Sequence, residues 1–318
     1  MVGWGAWAGV VGVLLGMLAL DLVVYHRRAG EATVSEAVVW SAAWIAAGLA
    51  FGGIVLLTLG ATAAGEYLGA YLIEKSLSVD NIFVFALVFT SFRVPLAHQH
   101  RVLFWGVLGA LALRALFIAG GAALLASFHW TIYLLGAFLL LTGMRMARPG
   151  VHKVLPGQNP ALRLVRRFIP LTQDYGGHRF FVRHGGHSYA TPLLAVLVVI
   201  ETTDLLFAVD SIPAVFGVTT NAFLAFTSNA FAILGLRAIY FLIAGTLPRF
   251  VYLKVGLAAV LVFVGSKMLI ADLFSVPIWA SLGVIGFLIG GSIVASLRSA
   301  RSPGEPAGSA DTPVRRRG

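Results

Sequence analysis

The residues in this chain best placed to do chemistry are carboxylates in an apolar setting. Glu201-Thr-Thr-Asp204-Leu-Leu-Phe-Ala-Val-Asp210-Ser211-Ile-Pro213 puts three acids inside a run, 191–216, made otherwise mostly of Leu, Val, Ala, Ile and Phe. Glu74-Lys75-Ser-Leu-Ser-Val-Asp80-Asn81-Ile-Phe83 has the same layout: Glu74 aligns with Asp204, Asp80 with Asp210 and Asn81 with Ser211. An ionisable side chain at a bilayer centre costs about 2.5–3.5 kcal/mol on insertion scales, so acids repeated in this way need a purpose. Pooled, Glu74, Asp80, Asn81, Glu201, Asp204, Asp210 and Ser211 form an oxygen-only donor set. Such a set suits a hard divalent cation (Mn²⁺, Ca²⁺, Mg²⁺ or Fe²⁺), suits Cu⁺ or Zn²⁺ poorly, and repels an oxyanion. Carboxylates crowded in low dielectric are not expected all to be ionised when empty, so protons would exchange with the metal and cation/proton antiport is the natural extension.

On a helix of roughly 100° per residue, Glu201, Asp204, Ala208 and Ser211 share one face, and Glu74, Ser78 and Asn81 share the matching one. Asp80 and Asp210 fall away from those faces. Pro213 removes a backbone donor and frees a carbonyl near Val209, which predicts a kink or break that would turn Asp210 towards the same cavity. Lys75, Arg114, Arg237 and Lys267 also lie within or at the ends of apolar runs, and Asp21 lies in the first. For these the expected role is structural, with bases neutralising acids and fixing helix packing.

The elements that must hold these groups are helices in a membrane. Of the 318 residues, 59% are hydrophobic and 11% charged, against about 25% charged in a soluble domain. Nine apolar spans are predicted, near 4–24, 37–60, 67–90, 102–125, 130–147, 191–216, 221–245, 250–272 and 277–297. The first, with no basic residue ahead of it and His26-Arg27-Arg28 behind it, does not read as a signal peptide. Of the 23 Lys and Arg, all but Lys75, Arg114, Arg237 and Lys267 fall on alternate connections. This places the N-terminus outside and the C-terminus in the cytoplasm, and leaves no role for nucleic acid. Trp4, Trp7, Trp40, Trp105, Trp130 and Trp279 near span ends fit an aromatic belt. The absence of cysteine excludes disulfides, thiolate metal sites and cysteine nucleophiles.

The repetition extends past the acids. Leu113-Arg114-Ala115-Leu116-Phe117 matches Leu236-Arg237-Ala238-Ile239-Tyr240, and Gly143-Met144-Arg145-Met146 matches Gly265-Ser266-Lys267-Met268. Each unit holds three spans, an odd number, so the two units run in opposite directions across the membrane. This predicts an all-α polytopic membrane protein with an inverted repeat of three plus three helices and a site at the repeat interface. The expected order is two N-terminal helices (1–60), the first repeat (61–147), a cytoplasmic loop (148–190), the second repeat (191–272), a last helix (273–297) and a disordered basic tail (298–318). Thr191-Pro192 reads as an N-cap and first helical residue that restart the chain into the second motif.

The two acidic motifs, together with Asn229-Ala-Phe-Ala-Ile-Leu-Gly-Leu-Arg237-Ala-Ile-Tyr-Phe241 and Leu20-Asp21-Leu22, resemble the signatures of the TerC/Alx integral membrane family over about residues 15–295. The resemblance implies a bacterial inner-membrane protein related to lysine-exporter-like transporters, in a family associated with tellurium resistance by name and manganese efflux by function. The acidic site favours the cation. The expectation is a non-enzymatic exporter of a divalent cation, most readily Mn²⁺, with no permanently bound cofactor. Its partners would be the bilayer, the cation and, beyond these, membrane-protein partners or further copies of itself. Two rivals stand beside it. One is a membrane scaffold or assembly factor for membrane or secreted proteins. The other is an intramembrane protease using Asp80 and Asp210 as a dyad, disfavoured by the number of acids and the lack of a Gly-x-Gly-Asp setting.

Overall fold

A computed structural model describes residues 3–26, 34–128, 130–147, 172, 179–184, 187–243, 252–274 and 276–301. The helices are α1 (Trp4–His26), α2 (Val34–Leu59), α3 (Ala61–Ser91), α4 (Leu96–Ser127), α5 (Thr131–Ala147), α6 (Pro192–Phe216), α7 (Ala222–Leu234), α8 (Leu236–Ile243), α9 (Leu253–Leu269) and α10 (Ile278–Arg301). Each apolar span of the sequence contains helix, and the seventh is two helices interrupted at Gly235. Much of the 148–190 loop, and the tail beyond Arg301, lie outside the described residues.

Among the described residues, six spans are long and apolar enough to cross a membrane: α1, α2, α4, α6, α7 with α8, and α10. The others fall short for identifiable reasons. α3 carries Glu66, Glu74, Lys75 and Asp80, while α5 and α9 have 17 residues each. Leu15, Leu57, Leu116, Leu206 and Phe287 are all more than half exposed, an outer surface suited to hydrocarbon and unsuited to water. α7 is the opposite case. Its residues from Phe223 are buried on every side except at Phe226, so it is the central helix of the bundle.

The all-α expectation needs one correction. β1 (Phe181–His184) and β2 (His187–Ala190) form an antiparallel hairpin with Phe181 opposite Ala190 and His184 opposite His187. The hairpin delivers the chain to Thr191, whose extended backbone precedes Pro192 at the first helical position. The Thr191 hydroxyl does not cap α6. It donates to the Arg179 carbonyl at 2.8 Å, and this ties the helix start to the hairpin.

Two packings hold the bundle. α3 lies against α6 and α7, and α4 against α6 and α7, so the motif helices meet around α7. α5 and α9 form the other close pair. At their contact glycine is required by space. A Cβ on Gly265 would stand 2.7 Å from the Gly136 carbonyl oxygen and the Leu140 nitrogen, and one on Gly143 would stand 2.9 Å from the Ala258 oxygen. Small residues that admit such close backbone approach are how helices associate where lipid removes the hydrophobic drive.

Gly265→Val should therefore lower the thermal midpoint of the detergent-purified protein by several degrees, since overpacking costs about 1–3 kcal/mol. Gly283→Ala, whose Cβ meets nothing within 4 Å, should leave it unchanged or raise it.

Candidate functional site

α3 turns Glu74, Ser78 and Asn81 inward along one face, and α6 does the same with Asp204, Ala208 and Ser211. The shared faces read from helical spacing are buried at these positions, while Glu201, the fourth member of the α6 face, is only half-buried. Between them stands Arg114 of α4, 1% exposed and the largest fully buried side chain among the described residues.

Its guanidinium joins the two motifs. Nη1 pairs with Glu74 Oε1 and donates to Ser211 Oγ at 3.0 Å. Nη2 reaches Asp204 Oδ1 at 3.3 Å and Nε reaches Asp204 Oδ2 at 3.4 Å. Two carboxamides complete the ring. Asn81 Nδ2 donates to Asp204 Oδ1 at 3.2 Å, and Asn229 Nδ2 of α7 donates to Glu74 Oε2 at 3.1 Å. All four carboxylate oxygens of Glu74 and Asp204 are thus hydrogen-bonded, and the pair of acids outweighs its one arginine by a formal charge. Burying these charges is tolerable only because the carboxylates and the guanidinium satisfy one another.

Of the other site residues named from sequence, Glu201 stands apart from this ring. Glu201 lies a turn earlier on α6, half-buried, with its carboxylate pressed into the space left by Gly109 of α4. A Cβ there would stand 2.1 Å from Oε1. Glu201 Oε2 is buried and lacks a hydrogen-bond partner. Thr202 and Thr203 return their hydroxyls to the carbonyls of Val198 and Val199 and so are spent within the helix. Asp210 is half-buried and, six residues on, lies about 120° round α6 from Asp204. The expected break beside it does not occur. α6 runs without interruption to Phe216, because Pro213 falls in the last turn, where one missing donor no longer stops the helix. The side chain of Asp80 lies outside the described residues.

The remaining charges are structural in different ways. Arg237, the sequence counterpart of Arg114, pairs with Asp21 of α1, Nη2 to Oδ1 at 2.6 Å and to the Asp21 carbonyl at 2.8 Å. Lys75 meets no acid in the ring. It donates to the Ala232 carbonyl at 2.9 Å and caps the end of α7, where Gly235 leaves room for its ammonium. Lys267, at the end of α9, lies within electrostatic reach of Glu66 of α3, and Glu66 accepts from the Thr219 hydroxyl at 2.6 Å. Asn229 and Glu66 were not expected from the sequence as site residues. Asn229 opens a quoted signature, but a lone amide in an apolar run carries no spacing signal. No group of three or more His, Cys, Asp or Glu able to hold a metal occurs among the described residues.

A polytopic helical membrane protein with a buried, charge-paired polar centre is the class that this fold and site define. The chain belongs to the integral membrane protein TerC family, whose model matches residues 59–303. It is 51% identical over 309 residues to an uncharacterized membrane protein of Myxococcus xanthus, STKORF319, covering 97% of this chain and 96% of that one. It is 47% identical over 296 residues to Alx of Escherichia coli K12, named as a candidate membrane-bound redox modulator, covering 90% and 91%. A membrane protein of Rickettsia bellii is 38% identical over 280 residues, covering 88% and 92%. No solved structure matches.

Removing one member of a buried ion pair costs about 3–5 kcal/mol, whereas replacing both with apolar groups is often neutral. Asp21→Leu should therefore lower the yield and thermal midpoint of the purified protein, and Asp21→Leu with Arg237→Leu should recover most of the loss.

Proposed function

We propose that this protein is a carrier, not an enzyme, that exports a divalent cation from the cytoplasm across the bacterial inner membrane, Mn²⁺ being the preferred cargo. The observation that carries the reading is the ring itself. Two carboxylates from the two repeated motifs converge in the protein interior with amide and hydroxyl groups and no softer donor. Glu74 and Asp204, with Asn81, Ser211 and Asn229 beside them, are the oxygen donors that a hard cation would take. Asp80, Glu201 and Asp210 are the further acids of its path, and they supply groups that can carry protons in exchange.

The same proposal holds that the nine spans each cross the membrane, N-terminus outside and C-terminus cytoplasmic, with 61–147 and 191–272 as inverted repeats flanked by the helices of 1–60 and 273–297. It is supported by the α5–α9 contact. Gly143 aligns with Gly265 and Gly136 with Ala258, so exchanging the repeats turns the Gly136–Gly265 approach into the Ala258–Gly143 approach, and both occur. The packing of α3 on α7 and of α6 on α4 exchanges in the same way. Sites at such interfaces serve alternating access. A thiol-based redox role, of the sort the name Alx invites, is not open to these residues, which include no cysteine.

The test is total metal content, by elemental mass spectrometry, of manganese-loaded cells that lack the protein, carry it, or carry Asp204→Asn. The expected result is a manganese deficit with the native protein alone, while Asp204→Asn inserts and accumulates normally. No difference for any metal would overturn the exporter reading in favour of a membrane scaffold or assembly factor.

A further inference from the structure

We propose that Arg114 is a tethered stand-in for the transported cation: in the cation-free carrier its guanidinium fills the place between Glu74 and Asp204 that the metal takes in the loaded one. The inference rests on the exporter reading and adds to it how the empty site is neutralised and what must move when cargo arrives. In this structure the guanidinium contacts both acids and Ser211 at once, and is itself sealed from the surface. A metal bridging Glu74 and Asp204 would need the same space and the same oxygens. Arginine and metal are therefore mutually exclusive there.

The neutral groups around the acids carry the second observation. Asn81 Oδ1, Asn229 Oδ1 and Ser78 Oγ are buried and have no hydrogen-bond partner, in residues that are each 1% exposed. A carboxylate only accepts, so an amide beside it must present its N–H and turn its oxygen away. Orphaned amide oxygens are costly in a membrane interior. A cation reverses the requirement, because half a turn of each carboxamide offers Oδ1 as a ligand and removes the deficit. Glu74, Asp204, Asn81, Asn229 and the serine hydroxyls of Ser78 and Ser211 then make an all-oxygen shell.

The displaced arginine has a destination. Glu201 presses against α4 at Gly109, about 7.5 Å nearer the start of the helix that carries Arg114, and helical side chains lean in that direction. Its Oε2 is buried without a partner. Arg114 thus exchanges between the Glu74–Asp204 pair when the carrier is empty and Glu201 when it is loaded. Neither form crosses the bilayer with two bare carboxylates.

The full-length protein in liposomes, assayed with radioactive manganese, tests this. Net movement down a gradient needs the empty carrier to reorient, whereas exchange with manganese on both sides does not. Arg114→Gln should lose net movement and keep exchange, with half-saturating Mn²⁺ lowered about tenfold or more as the competitor is removed. Arg114→Lys, which keeps the charge and serves where Gln does not fold, should slow net movement while sparing exchange. Net movement by Arg114→Gln at the native rate, or equal slowing of both processes in Arg114→Lys, would overturn the proposal while leaving the exporter reading intact. A native protein inert in both assays towards Mn²⁺, Mg²⁺ and Ca²⁺ would overturn both.

Discussion

The structure depends on one buried contact, the guanidinium of Arg114 held between Glu74 and Asp204. Each acid belongs to a different motif helix, and each would be costly alone in an apolar interior. Because Arg114 bonds both, it fixes α3, α4 and α6 relative to one another through charge as well as shape. Asn229 brings in α7, whose other buried hydroxyls, Thr227 and Ser228, are spent on the helix's own carbonyls. The polar centre and the packing of four helices are therefore one constraint.

The rest of the bundle isolates that centre. The α5–α9 pair closes on glycines that admit backbone against backbone, and the Asp21–Arg237 pair docks α1. Lys75 shows how a charge can be absorbed without an acid. Gly235 interrupts the seventh span, the last turn of α7 leaves a carbonyl free, and the ammonium of the neighbouring helix fills it. The two sequence-related arginines consequently have different work. Arg114 serves acids of both motifs, whereas Arg237 serves the N-terminal helix α1. Residues that match in sequence share a place in the pattern without sharing partners.

For the proposed export function, the hydrogen-bond directions matter as much as the list of donors. A ring of carboxylates already saturated by arginine and amide N–H groups is a closed electrostatic circuit, and a divalent cation can enter only by opening it. That makes the strength of the Arg114 contacts a determinant of affinity, and it ties cargo binding to movement of α4 side chains against α3 and α6.

The sequence by itself determined what depends on local chemistry and periodicity. Apolar run lengths set the helices, the 3.6-residue period set the buried positions Glu74, Ser78 and Asn81 of one motif helix and Asp204, Ala208 and Ser211 of the other, and Glu/Asp, Arg and Gly recur in one order in the two halves of the chain. The TerC membership was legible in the same residues. Tertiary structure alone decided who meets whom. That Arg114 lies between Glu74 and Asp204, that Glu201 lodges at Gly109, and that Asn229 belongs to the site are contacts between residues far apart in the chain, with no period to announce them. The expected break at Pro213 failed for a related reason. Proline weakens any helix locally, but its effect depends on how much helix follows, and here α6 ends within a turn, whereas the interruption falls at Gly235, where Lys75 and Trp44 crowd the backbone.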